Sequence, residues 1–495
     1  MALVQYKSIS GEFSFDAEMF EINKDGSLHL RDGYKGPIDL PIGCNNCSQL
    51  FAGCNLTGCY FRDFDTSAVT DMSSMFYACV LPKGFTLGDK FDTSKVTDMS
   101  YMFHKCELPE GFTLGDKFCT SNVEDMLKMF DSCQLPDGFT LGDNFDTSKV
   151  ASMYGMFGWC KLPNGFTLGS KFDTSNVVNM IRMFDGCRFL EGFTLGDKFN
   201  TSNVMYMARM FSNCAFKEGF TLGDKFDTSS VEDMKSMFHS CRFSERFNLG
   251  DKFDTSNVTN MESMFQECCM CEGFTFGDKF DTANVTSMYH MFEKCKLPDG
   301  FTLGGKFDTS KCEEMGGMFK ECAFSKDFTF GDKFNTSNVL RMYCMFEKCE
   351  LPDGFRLGDK FDTSNVVKMH RMFMGCTIPN GFTLGDKFNT SSVEDMEEMF
   401  SGCAIPEGFN LGDKFVTYSV KDMHRMFEEA KLPSCCEGLS QPLDVIEALR
   451  SGSSTFNCVE YLKSLFGERY ADLPPASITN CETKADCDEL YNRFM

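Results

Sequence analysis

FDTSKVTDMSYMFHKC, residues 91–106, decides the fold, because nearly the same string returns along most of the chain. Its opening phenylalanine recurs every 27 residues from Phe64 to Phe415, without an insertion or a deletion. Self-similarity at a fixed period is typical of stacked supersecondary units, each of which covers its apolar face only by packing on a neighbour. The sequence therefore predicts a solenoid.

The first half of each copy has the spacing of a short helix. Its apolar residues stand three, four and three positions apart, which would place them on one helical face. In the quoted copy these residues are Val96, Met99, Phe103 and Cys106, with Met102 beside them. Thr93 and Ser94 stand where the N-cap of that helix belongs.

The second half, ELPEGFTLGDK at residues 107–117, has the alternation of a short strand. Phe112 and Leu114 would share one side of it, with Thr113 on the other. Each copy is therefore expected to be a strand, a turn and a helical return, with the strands of successive copies in one parallel sheet. Because such strand, crossover, strand connections are right-handed, we expect a right-handed coil.

The two ends of the array differ from the repeat, as capping segments do. Residues 20–30, FEINKDGSLHL, indicate a hairpin around Asp25 and Gly26. Residues 442–470 carry two amphipathic patterns that indicate small helices. The predicted domains are an N-terminal β cap at 1–38, a degenerate first coil at 39–63, fourteen repeats at 64–436 and a helical C-terminal cap at 437–495.

The string DTSxVxxMxxMFxxC, followed by a segment containing Leu and Gly, resembles the BspA-like leucine-rich repeat family of bacterial surface proteins. The likeness covers residues 64–435, and the extra LPxGFTLGDK spacing departs from it. The resemblance implies a curved solenoid on a microbial cell surface, with a role in adhesion or in binding host proteins. Together with the periods, it predicts an α/β, leucine-rich-repeat-like right-handed solenoid of fifteen strand-turn-helix units, capped at both ends.

Charge and hydropathy limit the partners and the location. The formal net charge of −24 argues against binding of nucleic acid through phosphates and against an anionic membrane surface. The opening residues have no secretory pattern, and no stretch approaches the roughly 18 apolar residues of a spanning helix. The residues therefore indicate the cytoplasm, whereas the resemblance implies the cell surface. The oligomeric state is open.

The methionine and cysteine columns are interpreted as core, because metal sites at every copy would lie inside the coil in a chain with only six His. We expect no metal and no cofactor. The predicted core of the quoted copy is Met99, Met102, Phe103, Cys106, Phe112 and Leu114. One alternative is a zinc site formed by Cys44, Cys47, Cys54 and Cys59. Another is disulfide bonding in the C-terminal cap among Cys435, Cys436, Cys458, Cys481 and Cys487.

Two threonine columns follow the period. Thr93 has a counterpart in all fourteen copies, and Thr113 in most of them, with Asn248, Arg356 and Asn410 as the exceptions. We interpret the Thr93 column as helix caps and the Thr113 column as an exposed strand face. The alternative is a regular surface that orders water.

The sequence contains no recognisable catalytic motif, so we predict that the protein is not an enzyme. The outward positions of the helical half change from copy to copy, which favours a surface that binds proteins or other macromolecules. The alternative function is a structural spacer or a self-assembling scaffold. The candidate binding strip consists of Tyr101, His104, Lys105, Lys128, Tyr154, Trp159, Arg182, Tyr289, His290, Arg341, His370, Arg371, His424 and Arg425.

Overall fold

The computed structural model describes residues 3–8, 11–24, 26–41, 43–245, 247–436, 439, 442–451, 458–467 and 484–494. The chain divides into two compact units, Met1–Asn257 and Val258–Met495. Copies of the 27-residue repeat occur in both units, and the chain contacts given below lie within one unit or the other. The predicted domain boundaries mark changes in the repeat pattern and stay predictions.

The strands of the described residues form small sheets. Antiparallel pairs join β1 (Leu3–Ser8) to β2 (Gly11–Asp16) and β3 (Phe20–Ile22) to β4 (Leu28–Leu30), and parallel pairs join β5 (Gly36–Asp39) to β6 (Cys59–Asp63) and β7 (Arg188–Phe189) to β8 (Ala215–Phe216). The pairing of β3 with β4 confirms the predicted hairpin, although Asp25 at its tip lies outside the described residues.

The predicted α/β solenoid of right-handed strand-turn-helix units with a parallel sheet is wrong. Across the described residues of 64–433, the copies consist of turns, single parallel bridges and the two short strands β7 and β8, and none contains a helix. Without a crossover helix the handedness rule has no basis here. The 27-residue period itself is confirmed, because the bridges join residues one period apart, as Asp98 does with Asp125 and Glu107 with Gln134.

Two left-handed residues in every copy explain why no helix forms. Tyr101 has φ +57° and Lys105 has φ +60°, and the same two positions have positive φ in all fourteen copies. Each is the third residue of a tight turn, closed by the bonds from Met102 N to Met99 O at 3.2 Å and from Cys106 N to Phe103 O at 3.1 Å. A left-handed residue interrupts a right-handed helix. The same apolar spacing therefore fits two consecutive turns.

Besides the two turn bonds, the backbone of this half donates to the next copy. Tyr101 N donates to Leu127 O at 2.7 Å, and Phe103 N donates to Met129 O at 2.9 Å. In the half that was predicted to be a strand, Phe112 N donates to Pro109 O of its own copy at 3.0 Å. The pairing between copies thus runs through the half that was predicted to be helical and through the start of the other half, where Leu108 N donates to Gln134 O at 3.1 Å.

The predicted core is confirmed. Met99, Met102, Phe103, Cys106, Phe112 and Leu114 are all buried. Phenylalanine rings stack from copy to copy in three columns, with centroid separations of 6.4 Å for Phe91 and Phe118, 5.6 Å for Phe103 and Phe130, and 6.5 Å for Phe112 and Phe139. Each copy therefore covers the apolar residues of its neighbours.

Thr93 is a tie between copies and not a helix cap, because there is no helix for it to cap. It is fully buried, and its Oγ1 donates to Cys119 O of the next copy at 2.8 Å. The hydroxyl of Thr66, one copy earlier, also accepts a bond from Asp92 N at 2.7 Å. The Thr113 column is exposed, as predicted, but the segment that carries it is not an assigned strand.

The cysteine column adds a second tie. Cys106 Sγ donates to Phe76 O at 2.6 Å, and Cys187 Sγ donates to Phe157 O at 3.0 Å. Burial raises the pKa of the Cys106 thiol to about 12, which keeps it protonated as a donor at neutral pH. A small apolar side chain with a donor explains why cysteine recurs here.

Among the described residues after the array, a 3₁₀ turn at Ser434–Cys436 is followed by three helices, α1 (Pro442–Ser451), α2 (Cys458–Phe466) and α3 (Lys484–Phe494). The sequence predicted the first two. Tyr418 packs on Gly467, where a Cβ would lie 2.7 Å from the Tyr418 ring, and Asn410 Nδ2 donates to Arg450 O at 3.1 Å. Asn410 and Tyr418, which depart from the usual residues of their columns, thus contact this C-terminal segment.

Candidate functional site

Seven positions per copy carry the variable surface, which we call the outer band. In the quoted copy they are Thr97, Asp98, Ser100, Tyr101, His104, Lys105 and Glu107, and in other copies they lie at multiples of 27 residues from these. The band occupies the segment, residues 97–107 in the quoted copy, in which the backbones of successive copies are bonded to each other. It lies on turns, so the prediction that the strip occupies a helical face is wrong.

Large band side chains lie over glycines of the next copy. A Cβ added at Gly186 would lie 2.5 Å from the Trp159 ring, and one at Gly317 would lie 2.5 Å from the His290 ring. The same relation holds at Gly155, where a Cβ would lie 3.0 Å from Lys128 Cγ. Some of the residue changes along the band therefore serve the packing of one copy on the next.

The first predicted strip residues form an aromatic and cationic cluster in the unit Met1–Asn257. The rings of Tyr101 and His104 lie 5.7 Å apart, edge to face. Lys105 Nζ lies 5.9 Å from the ring centroid of Tyr77, and Lys128 Nζ lies 5.8 Å from that of Tyr154. These are cation–π distances between adjacent copies. Tyr77 belongs to this cluster although the sequence did not single it out.

His104 is an internal residue. Its Nδ1 lies 3.1 Å from Asp131 Oδ2, and both side chains are about nine-tenths buried. Desolvation lowers the pKa of His104 against the opposing effect of the Asp131 charge, and desolvation raises the pKa of Asp131. This pair joins two copies and leaves little of the His104 ring for a partner.

Trp159 and Arg182 are more accessible. Trp159 is 59% exposed, and Arg182 is partly exposed with its Nε 3.8 Å from Asp185 Oδ2. Near the end of the array, His424 and Arg425 are exposed, and Arg425 Nη1 lies 3.9 Å from Glu398 Oε1.

The unit Val258–Met495 brings several other strip residues together around Tyr343, which the sequence did not single out. The Tyr289 and Tyr343 rings lie 5.9 Å apart across Gly316, and the His370 ring stacks on Tyr343 at 4.8 Å. His290 lies 3.8 Å from Tyr289 between ring centroids. The signal for Tyr343 was its position two periods after Tyr289.

Carboxylates of neighbouring positions hold the charged members of this cluster. Arg371 Nε lies 2.6 Å from Glu398 Oε2, and Arg341 Nη1 lies 3.5 Å from Glu314 Oε2, each one period apart. His370 Nδ1 lies 2.9 Å from an Asp395 oxygen, and the His290 Nδ1 lies 2.6 Å from Glu293 Oε2. Arg341 keeps half of its side chain exposed.

One family model matches the chain five times, and its description is "Mycoplasma protein of unknown function, DUF285". The matches cover residues 45–161, 137–244, 194–298, 270–377 and 353–434, which together are well over half of the chain. The chain belongs to the DUF285 family. It is a tandem repeat protein, and neither a curated protein nor a solved structure matches it. This DUF285 match does not test the resemblance to BspA-like leucine-rich repeats, which stays a prediction.

The zinc alternative finds no support in this DUF285 chain. Among the described residues there is no group of three or more His, Cys, Asp or Glu side chains that could hold a metal ion. Cys54 and Cys59 instead donate to the backbone, to Leu30 O at 3.7 Å and to Tyr34 O at 3.3 Å.

The C-terminal cysteines are only partly visible. Cys435 and Cys436 Sγ lie 3.7 Å apart, whereas Cys481 and the side chain of Cys458 lie outside the described residues.

In the part of the chain that the structure describes, no helix combines the length and the apolar character that a bilayer crossing requires.

Proposed function

We propose that this DUF285 protein is a non-enzymatic scaffold whose outer band binds other proteins. The observation that supports it is the contrast between the repeated core and turns, which we call the frame, and the changing outer band. The buried Val, Met, Phe, Cys and Thr columns and the two left-handed turns recur in nearly every copy, whereas the band residues change. A fixed backbone with changing side chains is the arrangement that repeat proteins use for extended binding surfaces.

Exposed aromatic and arginine side chains supply the contacts in this proposal. Trp159 and Arg341 extend into solvent from a backbone that is bonded on both sides, so binding them costs little ordering of the chain. His104 and Asp131 serve the frame instead, because they are buried against each other. Adhesion at a microbial surface would be one setting for such binding, and it depends on the resemblance alone.

The second candidate is a structural spacer whose band has no ligand. One observation favours it: many band charges are paired with the neighbouring copy, as Arg371 is with Glu398 and Lys320 is with Glu347 at 3.1 Å. Such pairs would be retained in a protein whose band only holds its own copies together.

The two candidates differ in what the band captures. The full chain, immobilised, is exposed to an extract of its own cells, beside a band variant (Lys105→Ala, Tyr289→Ala, Arg341→Ala) and a control variant changed on the other half (Thr113→Ala, Thr302→Ala). A binding scaffold retains the same proteins as the control and loses them in the band variant, at equal thermal stability. A spacer retains no protein that depends on the band.

A further inference from the structure

We propose that the outer band of residues 151–215 is a docking surface for an acidic protein segment that carries apolar side chains. This inference rests on the proposed function and names the kind of partner. It concerns three consecutive copies in the unit Met1–Asn257.

The surface has an exposed large apolar residue in each of its three copies. Among the large apolar residues that the structure leaves exposed, Trp159 (59%), Val178 (37%) and Tyr206 (39%) lie in these three successive copies. Val178 N donates to Ala151 O at 2.9 Å, and Met205 N donates to Val178 O at 2.9 Å, so Ala151, Val178 and Met205 form one row. Trp159 stands at another position of the same band, in the copy that contains Ala151. Exposed apolar residues grouped in this way mark interaction sites, whereas single ones do not.

Tyr206 continues the row sideways. It follows Met205 directly and forms a parallel bridge with Asn179 of the preceding copy. Ile181, in the same copy as Asn179, is half-buried, and so is Tyr154 one copy earlier. The apolar row therefore adjoins further apolar and aromatic side chains on the same band.

The indole of Trp159 is positioned as a contact platform. The ring lies against the backbone of Gly186, where a Cβ would come within 2.5 Å of it, and most of the side chain remains exposed. Gly186 also has φ +75°, a conformation that favours glycine. A tryptophan supported on one side and open on the other resembles the rigid aromatic residues that dominate protein interfaces.

The charge of this stretch is opposite to that of the protein. Its band positions carry four cations, Lys161, Arg182, Arg188 and Arg209, against one carboxylate, Asp185, which gives 4 − 1 = +3. The chain as a whole carries −24. Asp185 is buried and accepts a bond from Asn213 Nδ2 at 3.0 Å, so its charge is turned inward.

The three preceding copies show the contrast. Their band positions between residues 70 and 134 carry two lysines and six carboxylates, which gives 2 − 6 = −4. A long polyanion would cross this acidic stretch and be repelled there, whereas a short acidic segment fits the three basic copies. An apolar row edged by cations thus selects a peptide with both acidic and apolar residues.

The chain carries its own reporter for the test, because Trp159 is its one tryptophan. The full-length protein is titrated with a synthetic peptide in which Glu alternates with Leu and Phe. Binding is expected to shift Trp159 emission to shorter wavelength and to protect it from iodide quenching, with saturation. Matched peptides with Lys in place of Glu, or with Ser in place of Leu and Phe, should bind roughly tenfold more weakly or not at all.

Matched charge reversals locate the site. Arg188→Glu with Arg209→Glu should weaken binding of the Glu/Leu/Phe peptide by roughly tenfold or more. Lys171→Glu with Lys198→Glu, exposed residues in the same copies but outside the band, should leave it unchanged. Melting temperatures of the two variants verify that both remain folded.

Four results would overturn the inference. The first is Trp159 emission that no peptide changes, and the second is an equal loss of peptide affinity in the Lys171/Lys198 control variant. The third is heparin binding as tight as that of the acidic apolar peptide, and the fourth is self-association that the Arg188/Arg209 reversal abolishes. Heparin binding would assign the surface to polyanions, and self-association would assign it to a second copy. If the capture experiment still depends on Arg341 and Tyr289 while Trp159 stays silent, the proposed function stands and this inference fails.

Discussion

Alkaline pH is expected to destabilise the protein through its buried cysteine column. Burial raises the pKa of four of these thiols from the ordinary 9.0 to about 12, namely Cys106, Cys295, Cys349 and Cys403. Because the folded pKa is raised, each thiol's contribution to stability is fully present below pH 9 and is lost as the pH rises toward the folded pKa.

The magnitude follows from the two pKa values. At pH 10 the unfolded thiol is mostly ionised while the folded thiol keeps its proton, which costs roughly 1 to 2 kcal/mol per thiol. Four such thiols together lose roughly 4 to 8 kcal/mol, which is comparable with the whole free energy of unfolding of an ordinary domain. A large fraction of the stability should therefore disappear between pH 8 and pH 10.

Urea unfolding at pH 8, 9 and 10, in a reducing buffer and followed by circular dichroism, measures this loss. Cys106→Ala should be less stable than the parent at pH 8, yet its further loss up to pH 10 should be smaller by roughly 1 to 2 kcal/mol. Leu114→Ala, also a buried position, removes no thiol and should keep the parent's pH dependence. Identical pH dependence in Cys106→Ala and the parent would refute the reasoning.

Three further results are expected. Thr93→Val removes the donor to Cys119 O and should lower the free energy of unfolding by about 1 to 3 kcal/mol. Thr113→Val, in the exposed column, should change it by about 0.5 kcal/mol or less. Equal effects of the two variants in urea unfolding would contradict the role of Thr93 as a buried tie. Gly186→Ala places a Cβ 2.5 Å from the Trp159 ring and should lower the melting temperature and shift the emission of Trp159, and an unchanged spectrum would contradict the packing. Hydrogen bonds from Ser94 lower the pKa of Asp92 below the ordinary 3.8, so the stability that Asp92 contributes is present above pH 3.8 and is lost as the pH falls through the folded pKa. Asp92→Asn keeps the accepting oxygen and should lose less stability than the parent in an acid titration. Titration curves of equal slope for the variant and the parent would contradict this.

The sequence predicted the features that depend on apolar pattern and period. The 27-residue register, the buried Met, Phe and Cys columns, the β3–β4 hairpin and helices α1 and α2 all follow from repeated spacing or amphipathic pattern. These features are set by which residues must leave water, and that information is local and repeated.

The conformation of the copy could not be read in the same way. A spacing of three, four and three residues fits a helical face and two successive turns equally well. The deciding signal is a left-handed residue, and at Tyr101 and Lys105 the chain does not use glycine. Gly155 and Gly317, which stand at the Tyr101 position in two other copies, are the clue that a comparison of columns offers.

The candidate site was predicted in composition but not in its pairing. The variable positions identified the band, yet the partners of its charges lie one period away, as Glu398 does from Arg371. Within one copy these residues are unrelated, and they meet only because successive copies are bonded in register. Val178 was missed because no strip residue stands in its repeat column, whereas Tyr206 stands in the same column as Arg341 and could have been found by comparing columns.

The far-ultraviolet circular dichroism spectrum of the full chain tests most directly whether the copies are built from turns that are bonded to the next copy. The described helices are the three after the array, of 10, 9 and 11 residues. The account predicts a weak helical signal at 222 nm, to which the repeat copies contribute nothing. A signal from roughly a third of the residues, the level of ordinary globular proteins, would require helices inside the copies and would contradict it.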